Sequence, residues 1–324
     1  MKSKPFGVLL LLFLRVSFSS KVLFCPPSSP GKVNDDVIGD KWPNMTLDNA
    51  QQMNQIWTEH DQKNMCSDTC IYEQTTSETD RAWHLGWCRH TGLSPKGAYK
   101  LAMIGNSYAA NHANLFYQEC GKKAKSILQG SAYGCEPLYP SQNTKVCQRY
   151  LKTVEKRIAK EQPDYAFIFT RYISIGDKAR GRIKSFAKDP IYQVMKAQML
   201  KLTANIKYKL YILDAYPRPL GRVIPQIVPA LKHHVDPVKI DKRLVDVHDP
   251  QSFKLARARH AQLIKDCNGK CVLVDYVPKY FNKTTGTYRY FDEKGFSYNT
   301  GGLHMSPHGL EQVRDIWRAV CAEL

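Results

Sequence analysis

Short apolar runs alternate with longer stretches of helical periodicity from residue 97 to the end of the chain. The apolar runs predict five buried strands, at residues 101–104, 126–128, 165–169, 210–213 and 271–276. Apolar positions at helical spacing follow them near residues 109–120, 145–161, 187–206, 250–266 and 308–322. Strands separated by crossover helices predict a parallel sheet that is covered on both faces. We therefore expect an α/β fold with a five-stranded parallel sheet.

Residues 20–97 have a different pattern, with little strand-like alternation. One amphipathic helix is predicted over residues 47–60, and the candidates for its buried face are Leu47, Met53, Ile56 and Trp57. The segment also contains four cysteines and four tryptophans, and the tryptophans could be core anchors or platforms that stack on sugar rings. We interpret residues 20–97 as a cysteine-stapled extension that packs against a main domain formed by residues 98–324. A proline-rich and charged stretch at 217–249 is expected to cross the carboxyl edge of the sheet.

The first 19 residues have the pattern of a secretory signal peptide. Lys2 and Lys4 precede an apolar run at residues 8–14, and Ser17 and Ser19 supply the small residues of a cleavage site. The apolar run is too short for an ordinary membrane-spanning helix. We therefore predict a secreted or lumenal protein.

Cysteine usage agrees with that compartment. Ten cysteines, an even number, predict structural disulfides in a secreted chain, although their pairing stays open. Asn44 and Asn282 each begin a sequon and are candidate glycosylation sites. The cysteine pairs spaced by four residues do not match a zinc ribbon, so neither a metal nor a cofactor is indicated.

The chain of 324 residues carries a net charge of +18, which falls to +15 without the predicted signal peptide. Such a charge is typical of a soluble basic surface, and it also favours attraction to anionic glycans, membrane surfaces or acidic substrates. The basic residues are dispersed and no nucleic-acid motif is present, so we expect no nucleic-acid partner.

A candidate nucleophile follows the first strand of the main domain. The strand at 101–104 ends in a Gly-Asn-Ser turn at residues 105–107, and a helical pattern begins there. This arrangement presents the hydroxyl of Ser107 at the carboxyl edge of the sheet, where open α/β sheets have their sites. Backbone N–H groups at a helix N-terminus can hold an oxyanion. The alternative is that Ser107 only caps the helix.

A candidate base lies near the other end of the chain. His304 precedes a helix opened by Ser306 and Pro307, so it lies on a loop after the last strand. That loop can return to the edge of the sheet that carries Ser107. The alternative is an ordinary loop histidine that faces solvent.

Four sequence blocks in the same order resemble a known family. They are GNSYAANH at 105–112, GCEPL at 134–138, TRY at 170–172 and LHMSPHG at 303–309. Together they resemble the SGNH hydrolase superfamily, and most closely the SGNH domain fused to membrane O-acyltransferases of the acyltransferase-3 family, particularly the nematode proteins. The resemblance covers about residues 80–324. It implies a three-layer, flavodoxin-like SGNH hydrolase fold.

The resemblance also implies roles for individual residues. Ser107 would be the nucleophile and His304 its general base. Backbone N–H groups of Ser107 and of the Gly130 or Gly134 region would donate to the oxyanion. Arg171 would stabilise the same charge or bind an anionic substrate; alternatively, it could pair with a carboxylate at the edge of the sheet.

Three features depart from the family pattern. Asn106 replaces an aspartate in the opening block, a change that the turn can accommodate. Gly301 stands where the family has the acid of the triad, so Asp292 or Glu293 could orient His304 instead, or a backbone carbonyl could do so in a Ser–His dyad. The membrane acyltransferase portion does not appear in the sequence. The segment at 8–18 could therefore be the remnant of a last membrane helix, which would leave the domain membrane-tethered.

The resemblance implies an acyl-ester hydrolase or O-acyltransferase that works through an acyl-serine. Its substrate would be an O-acylated, in the first instance acetylated, glycan or a lipid-like molecule, and its partner a membrane acyltransferase domain. Two alternatives stay open: a catalytically inactive secreted glycan-binding module, and the C-terminal fragment of a multi-pass membrane O-acyltransferase.

Overall fold

The computed structural model describes residues 45–62, 65–73, 84–179, 185–217, 219–245, 252–302 and 304–324. The predicted signal segment and the candidate glycosylation site Asn44 lie outside these ranges. Of the helices that are described, none combines the length and the apolar character needed to cross a bilayer.

A mixed sheet of seven strands forms the centre of the molecule. Its strands, in chain order, are β1 (Cys70–Tyr72), β2 (His84–His90), β3 (Tyr99–Gly105), β4 (Ala124–Ala132), β5 (Tyr165–Phe169), β6 (Lys209–Leu213) and β7 (Cys271–Val274). The spatial order is β1-β2-β4-β3-β5-β6-β7, and strands β4-β3-β5-β6-β7 are parallel. These five are the predicted strands, so the prediction of a five-stranded parallel sheet is confirmed.

Helices cover both faces of the sheet. In chain order they are α1 (Leu47–Glu59), α2 (Ser107–Cys120), α3 (Lys145–Glu161), α4 (Pro190–Thr203), α5 (Ile227–Lys232), α6 (Pro237–Leu244), α7 (Ser252–Asp266), α8 (Val277–Tyr280) and α9 (Pro307–Ala322). A small hairpin pairs β8 (Phe281–Asn282) with β9 (Thr287–Tyr288). Short 3-10 turns lie at Gly121–Lys123, Ser141–Asn143, Ser174–Gly176, Phe186–Lys188 and Gly221–Gln226.

Alternation along the central strand divides the core into two layers. Leu101 and Met103 of β3 contribute to one apolar cluster, together with side chains of α2 and α9. Ala102 and Ile104 contribute to the other, together with side chains of α3, α4 and α7. Successive side chains of a strand point to opposite faces, so a strand that is apolar throughout must be buried on both. This explains why the parallel strands read as continuous apolar runs.

The extension contributes strands that its sequence pattern did not predict. Strands β1 and β2 pair antiparallel with each other, and β2 pairs antiparallel with β4. The expectation of little strand structure in residues 20–97 is therefore wrong for these two segments. The reason is that β1 is the edge strand and β2 lies beside it, and polar residues such as Arg89 are exposed there, so apolar alternation is weak.

Helix α1 is observed where the sequence predicts it, and it docks on the main domain. Its buried residues are Ala50, Asn54 and Trp57, whereas the other three candidates for the buried face are only partly covered. Trp57 packs with Val228 and Phe296. Trp57 is therefore a core anchor, one of the two roles left open for the tryptophans.

Four disulfides join described cysteines: Cys70–Cys88, Cys120–Cys321, Cys135–Cys147 and Cys267–Cys271. Their presence confirms the prediction of structural disulfides. Cys120–Cys321 links the end of α2 to the end of α9 across 201 residues of sequence. It therefore holds together α2 and α9, two helices that are far apart in the sequence.

Replacing both cysteines of the Cys120–Cys321 pair by alanine should destabilise the protein more than the same change at Cys267–Cys271. Closing a loop of 201 residues removes more unfolded-state entropy than closing a loop of 4. The expected losses are about 5 and about 2 kcal/mol in the free energy of unfolding. Urea unfolding of the two double variants measures them, and equal losses would contradict the loop-length argument.

Candidate active site

The turn after β3 places Ser107 at the first residue of helix α2. Gly105 is required at the end of the strand because a Cβ there would overlap the carbonyl oxygen of Phe169 on the neighbouring strand. Asn106 is the N-cap of α2, and its Oδ1 accepts the backbone N–H of Tyr108 at 3.1 Å. Because Asn106 performs the capping, the hydroxyl of Ser107 is available for another contact.

That contact is with His304. The Nε2 atom of His304 lies 2.8 Å from the Oγ of Ser107, although the two residues are 197 positions apart. The Nδ1 atom on the other side of the ring lies 2.7 Å from Oδ2 of Asp61. The carboxylate fixes the tautomer: Nδ1–H donates to Asp61, and Nε2 accepts the hydroxyl proton of Ser107. The three side chains therefore form a continuous hydrogen-bonded row.

Asp61 comes from the extension, immediately after helix α1. It is 8% exposed, and its Oδ1 accepts a hydrogen bond from the hydroxyl of Thr300. The loop that contains His304 also touches the last turn of α1, because the N–H of Gly301 donates to Oγ1 of Thr58 at 3.0 Å. The end of α1 therefore docks directly against this loop.

Gly301 and Gly302 make this approach feasible. A Cβ on Gly301 would lie 2.9 Å from Cγ2 of Thr58, and a Cβ on Gly302 would overlap the carboxylate of Asp61. The end of α1 and the residues after it thus fill the space beside Gly301, where the resemblance leads us to expect an acid. The carboxylate of Asp61 lies there instead. Asp61 is not predictable from the sequence because a single aspartate after a helix has no local signature.

The two acids proposed from sequence are not beside His304. Oδ2 of Asp292 accepts Nε2–H of His308 at 3.1 Å, and its Oδ1 accepts the backbone N–H groups of Lys294 and Phe296. Its carboxylate therefore organises its own turn. Glu293 lies in the same turn and is exposed. The contact at Nδ1 of His304 corrects the expectation that Asp292 or Glu293 orients the ring.

Arg171 is held close to the serine turn through its backbone. Nδ2 of Asn106 donates to the carbonyl oxygen of Arg171 at 2.7 Å, and the N–H of Arg171 donates back to Oδ1 of Asn106 at 3.3 Å. Strand β5 ends just before this residue, beside the end of β3. The loop after β5 and the N-terminus of α2 are therefore fixed to each other.

The guanidinium of Arg171 has a buried nitrogen, Nη1, without a hydrogen-bond partner in the part of the chain that the structure describes. The hydroxyl of Thr170 is also buried and without a hydrogen-bond partner among the described residues. Arg171 and Thr170 line a water-sized cavity of about 10 Å³ together with Tyr108 and Asp214. Asp214 is already bound by Arg257 and His260. The alternative pairing of Arg171 with a carboxylate is thus not observed among the described residues.

The block at 134–138 is hydrogen-bonded to the loop that follows Arg171. Glu136 is fully buried and accepts the N–H groups of Ile173 and Ser174, each at 2.8 Å, and the hydroxyl of Ser141 at 2.7 Å. Burial raises the pKa of its carboxyl group, and these hydrogen bonds oppose that effect. Gly134 lies at the exposed start of this block with a positive φ of 63°, a conformation that favours glycine.

Two further groups near the row have shifted pKa values. His112 lies one turn below Ser107 on α2, and burial lowers its pKa to about 3. Its Nδ1–H donates to the carbonyl oxygen of Tyr108 at 2.8 Å, and the lowered pKa keeps the ring neutral near pH 7. Burial, and to a smaller extent the charge of Asp61, raises the pKa of Tyr133 to about 12.

One group of metal-ligand side chains occurs within the described ranges, formed by Cys70, Cys88 and His90. The two sulfur atoms are joined in a disulfide and cannot act as thiolate ligands. Asn282 lies at the end of β8, with a partly exposed side chain whose Oδ1 accepts the N–H of Thr284.

Comparisons with known proteins agree with this architecture. The model of the family described as "SGNH domain (fused to AT3 domains)" matches residues 69–319. No curated protein sequence matches the chain. Among solved structures, the periplasmic domain of a lipopolysaccharide acetyltransferase from Salmonella ser. Paratyphi A is similar, with 12% identity and a TM-score of 0.53, over 83% of this chain and 97% of that one.

A weaker similarity is found with a protein from Streptococcus pneumonia titled a putative platelet activating factor. It has 10% identity and a TM-score of 0.42, over 85% of this chain and 94% of that chain.

The burial of His112 predicts acid sensitivity. Its folded pKa of about 3 lies below the usual 6.5, so its neutral form stabilises the fold above pH 6.5, and that stabilisation is lost as pH falls toward 3. Replacing His112 by Phe should weaken the fall in unfolding free energy between pH 6.5 and 4. Urea unfolding across this range tests it, with exposed His233→Phe as the control, which should retain the wild-type slope.

Proposed function

This chain belongs to the family of SGNH domains that occur fused to AT3 domains, and from that premise we propose that it cleaves or transfers ester-linked acyl groups through an acyl-serine. The observation that carries the proposal is the row Ser107–His304–Asp61, with contacts of 2.8 and 2.7 Å. It has the donor and acceptor order of a Ser-His-Asp triad, which is recognised by geometry rather than by sequence position.

The chemistry follows from that order. Nε2 of His304 takes the proton as Oγ of Ser107 bonds to the acyl carbon. The bond from that carbon to the alcohol oxygen then breaks, and His304 protonates the departing alcohol. Asp61 keeps Nδ1 protonated and stabilises the imidazolium. Water or an acceptor hydroxyl next attacks the acyl-serine, with His304 as base, and releases the acid or the new ester.

The oxyanion of the tetrahedral intermediate would form beside the first turn of α2. The backbone N–H of Ser107 and the positive end of the helix dipole favour negative charge there. We assign Arg171 as a further donor, because its backbone is tied to the N-cap of α2 and its Nη1 has no other partner in the described chain. Gly134 is kept as a candidate for the remaining backbone donor.

The substrate class proposed is an O-acylated, in the first instance acetylated, glycan or lipid-like molecule. Its support is the fusion of the family to membrane acyltransferase domains, which could supply the acyl group as a partner. The net charge of +18 would favour approach to anionic glycans. The signal-like segment supports a secreted or lumenal site of action, which is also where the disulfides would persist.

The alternative of an inactive glycan-binding module rested on the missing acid at Gly301. Asp61 occupies the place of that acid beside His304, so the geometry gives this alternative no particular support.

Replacing Asp61 by Asn should lower kcat for an acetyl ester by about 10⁴, because the amide favours the wrong tautomer of His304. Ser107→Ala and His304→Ala should lower kcat by at least the same factor. The matched control is Asp292→Asn, which changes the acid proposed from sequence and should leave kcat within a few-fold of wild type. Equal losses for Asp61→Asn and Asp292→Asn would refute the assignment of the acid.

Replacing Arg171 by Gln tests its role. An oxyanion donor should lower kcat by about 10² to 10³ with a neutral acetyl ester. A residue that only binds an anionic substrate should instead raise KM for acidic substrates and leave the neutral ester unaffected. Steady-state kinetics with both substrates separates the two roles, and exposed Arg149→Gln is the charge-matched control. Wild-type kinetics with both substrates would remove Arg171 from the site.

A further inference from the structure

One face of helix α3 carries a line of cations, outside the row of catalytic candidates. They are three or four positions apart in the sequence, and a helix brings positions with that spacing to one face. At about 100° per residue they fall within about 80° of arc, along about 22 Å of the helix. We call this line the basic stripe; its members are Lys145, Arg149, Lys152, Lys156 and Lys160, all of which are exposed.

The charge of the basic stripe is not neutralised within the part of the chain that the structure describes. The acids of α3 are Glu155 and Glu161, and each is paired with a cation outside the stripe. Glu155 contacts Lys201 of α4 at 2.9 Å. Glu161 contacts Arg89 of β2 at 2.6 Å. The five cations of the stripe are therefore free to bind an anion from outside the molecule.

The basic stripe is unfavourable for the helix that carries it. Like charges at i,i+3 and i,i+4 repel each other, and each successive pair in the stripe has one of these spacings. Lys145 is also the first residue of α3, where the positive end of the helix dipole disfavours a cation, and the first turn contains no acid. Local features that oppose the stability of a fold are expected at functional sites. The stripe therefore indicates a binding surface.

The first turn of α3 is fixed to the candidate active site. Cys147 in that turn forms a disulfide with Cys135, in the loop after β4. The next residue, Glu136, holds the loop that follows Arg171 by two hydrogen bonds of 2.8 Å. The stripe therefore starts, at Lys145, near the edge of the sheet that carries the candidate site, and it runs away from that edge.

The surroundings of the stripe decide the class of partner. The large apolar side chains Tyr150, Val154 and Ile158 of α3 are buried in the core, so this helix has no apolar face to insert into a bilayer. For the same reason Tyr150 cannot stack on the bases of a nucleic acid. Exposed amide and hydroxyl groups adjoin the start of the stripe, at Gln148 and residues 142–144, and such groups can bind sugar hydroxyls.

The length of the stripe favours a polymer over a small anion. A small acid would contact one or two of the five cations, so a single member such as Arg149 contributes little to its binding. A chain with repeated anionic groups can contact all of them at once, and the gain from each contact adds to the others.

We propose that the basic stripe binds an anionic polysaccharide, a chain that carries carboxylate or sulfate groups at regular intervals. The polymer would lie along α3 with one part near the edge of the sheet that carries Ser107. This binding does not depend on the chemistry proposed for Ser107, so it can be measured without turnover. The Ser107→Ala variant should bind the polymer as the wild type does.

Fluorescence anisotropy with labelled dextran sulfate tests the proposal, with neutral dextran of the same length as the control polymer. The wild type should bind dextran sulfate and not dextran. Lys152→Gln combined with Lys156→Gln should raise Kd about tenfold and reduce the slope of log Kd against log salt concentration by about two, one for each lost contact. Absence of binding to dextran sulfate, or wild-type affinity in this double variant, would overturn the proposal.

A charge-matched double variant separates the stripe from the overall charge of +18. Lys239 and Lys242 of α6 are also exposed, and α6 packs on the core layer on the other face of the sheet. Replacing both by Gln should change Kd by less than about twofold, because charges remote from the contact are screened at physiological salt. Equal increases in Kd for the two double variants would show that binding follows net charge alone, and would contradict the proposal.

Vesicles of phosphatidylglycerol and phosphatidylcholine test the alternative partner, a membrane surface. Cosedimentation with these vesicles should be the same for the two double variants. If only the variant at Lys152 and Lys156 loses vesicle binding while it keeps its affinity for dextran sulfate, the stripe belongs to a membrane contact and the proposal fails.

Discussion

The structure depends on a histidine ring held between two segments that are far apart in the sequence. His304 reaches Ser107 on one side and Asp61 on the other. A carboxylate as buried as that of Asp61 is costly unless it is hydrogen-bonded, and here it is satisfied by the ring and by the hydroxyl of Thr300. The two glycines before Leu303 leave the space in which the end of α1 can approach. Any change that moves α1 therefore changes the environment of His304.

The extension is accordingly part of the site and is anchored at several points. Asn54 of α1 donates to the carbonyl oxygen of Gly295 and accepts the N–H of Ser297. His90, at the end of β2, is a second anchor. Its Nδ1 accepts a hydrogen bond from the hydroxyl of Thr69, and its Nε2–H donates to the side-chain oxygen of Gln129. Burial lowers the pKa of His90 to about 4. The contacts of Asn54 and of His90 with Gln129 bind the extension to the main domain through buried polar groups. Stability of the extension and competence of the site are therefore coupled.

Much of the fold and part of the site could be predicted from the sequence. The parallel strands were found because burial on both faces demands continuous apolar runs, and Ser107 was found because a strand–turn–helix has a local signature. Asp61 was missed because its partner is 243 residues away and its own surroundings are ordinary. Asp292 was proposed because it is close to His304 in sequence, but its carboxylate is used by its own turn. Strands β1 and β2 have no clear apolar alternation, because β1 is the edge strand and β2, beside it, exposes polar residues such as Arg89.

The most direct test is the covalent labelling of the proposed nucleophile, Ser107. The purified chain is treated with a fluorophosphonate, and the modified peptide is identified by mass spectrometry. We expect one adduct, on Ser107, which forms much more slowly in the Asp61→Asn variant and is absent from His304→Ala. Labelling of another residue, or labelling of Ser107 at the same rate in all three proteins, would show that the row Ser107–His304–Asp61 does not activate the serine.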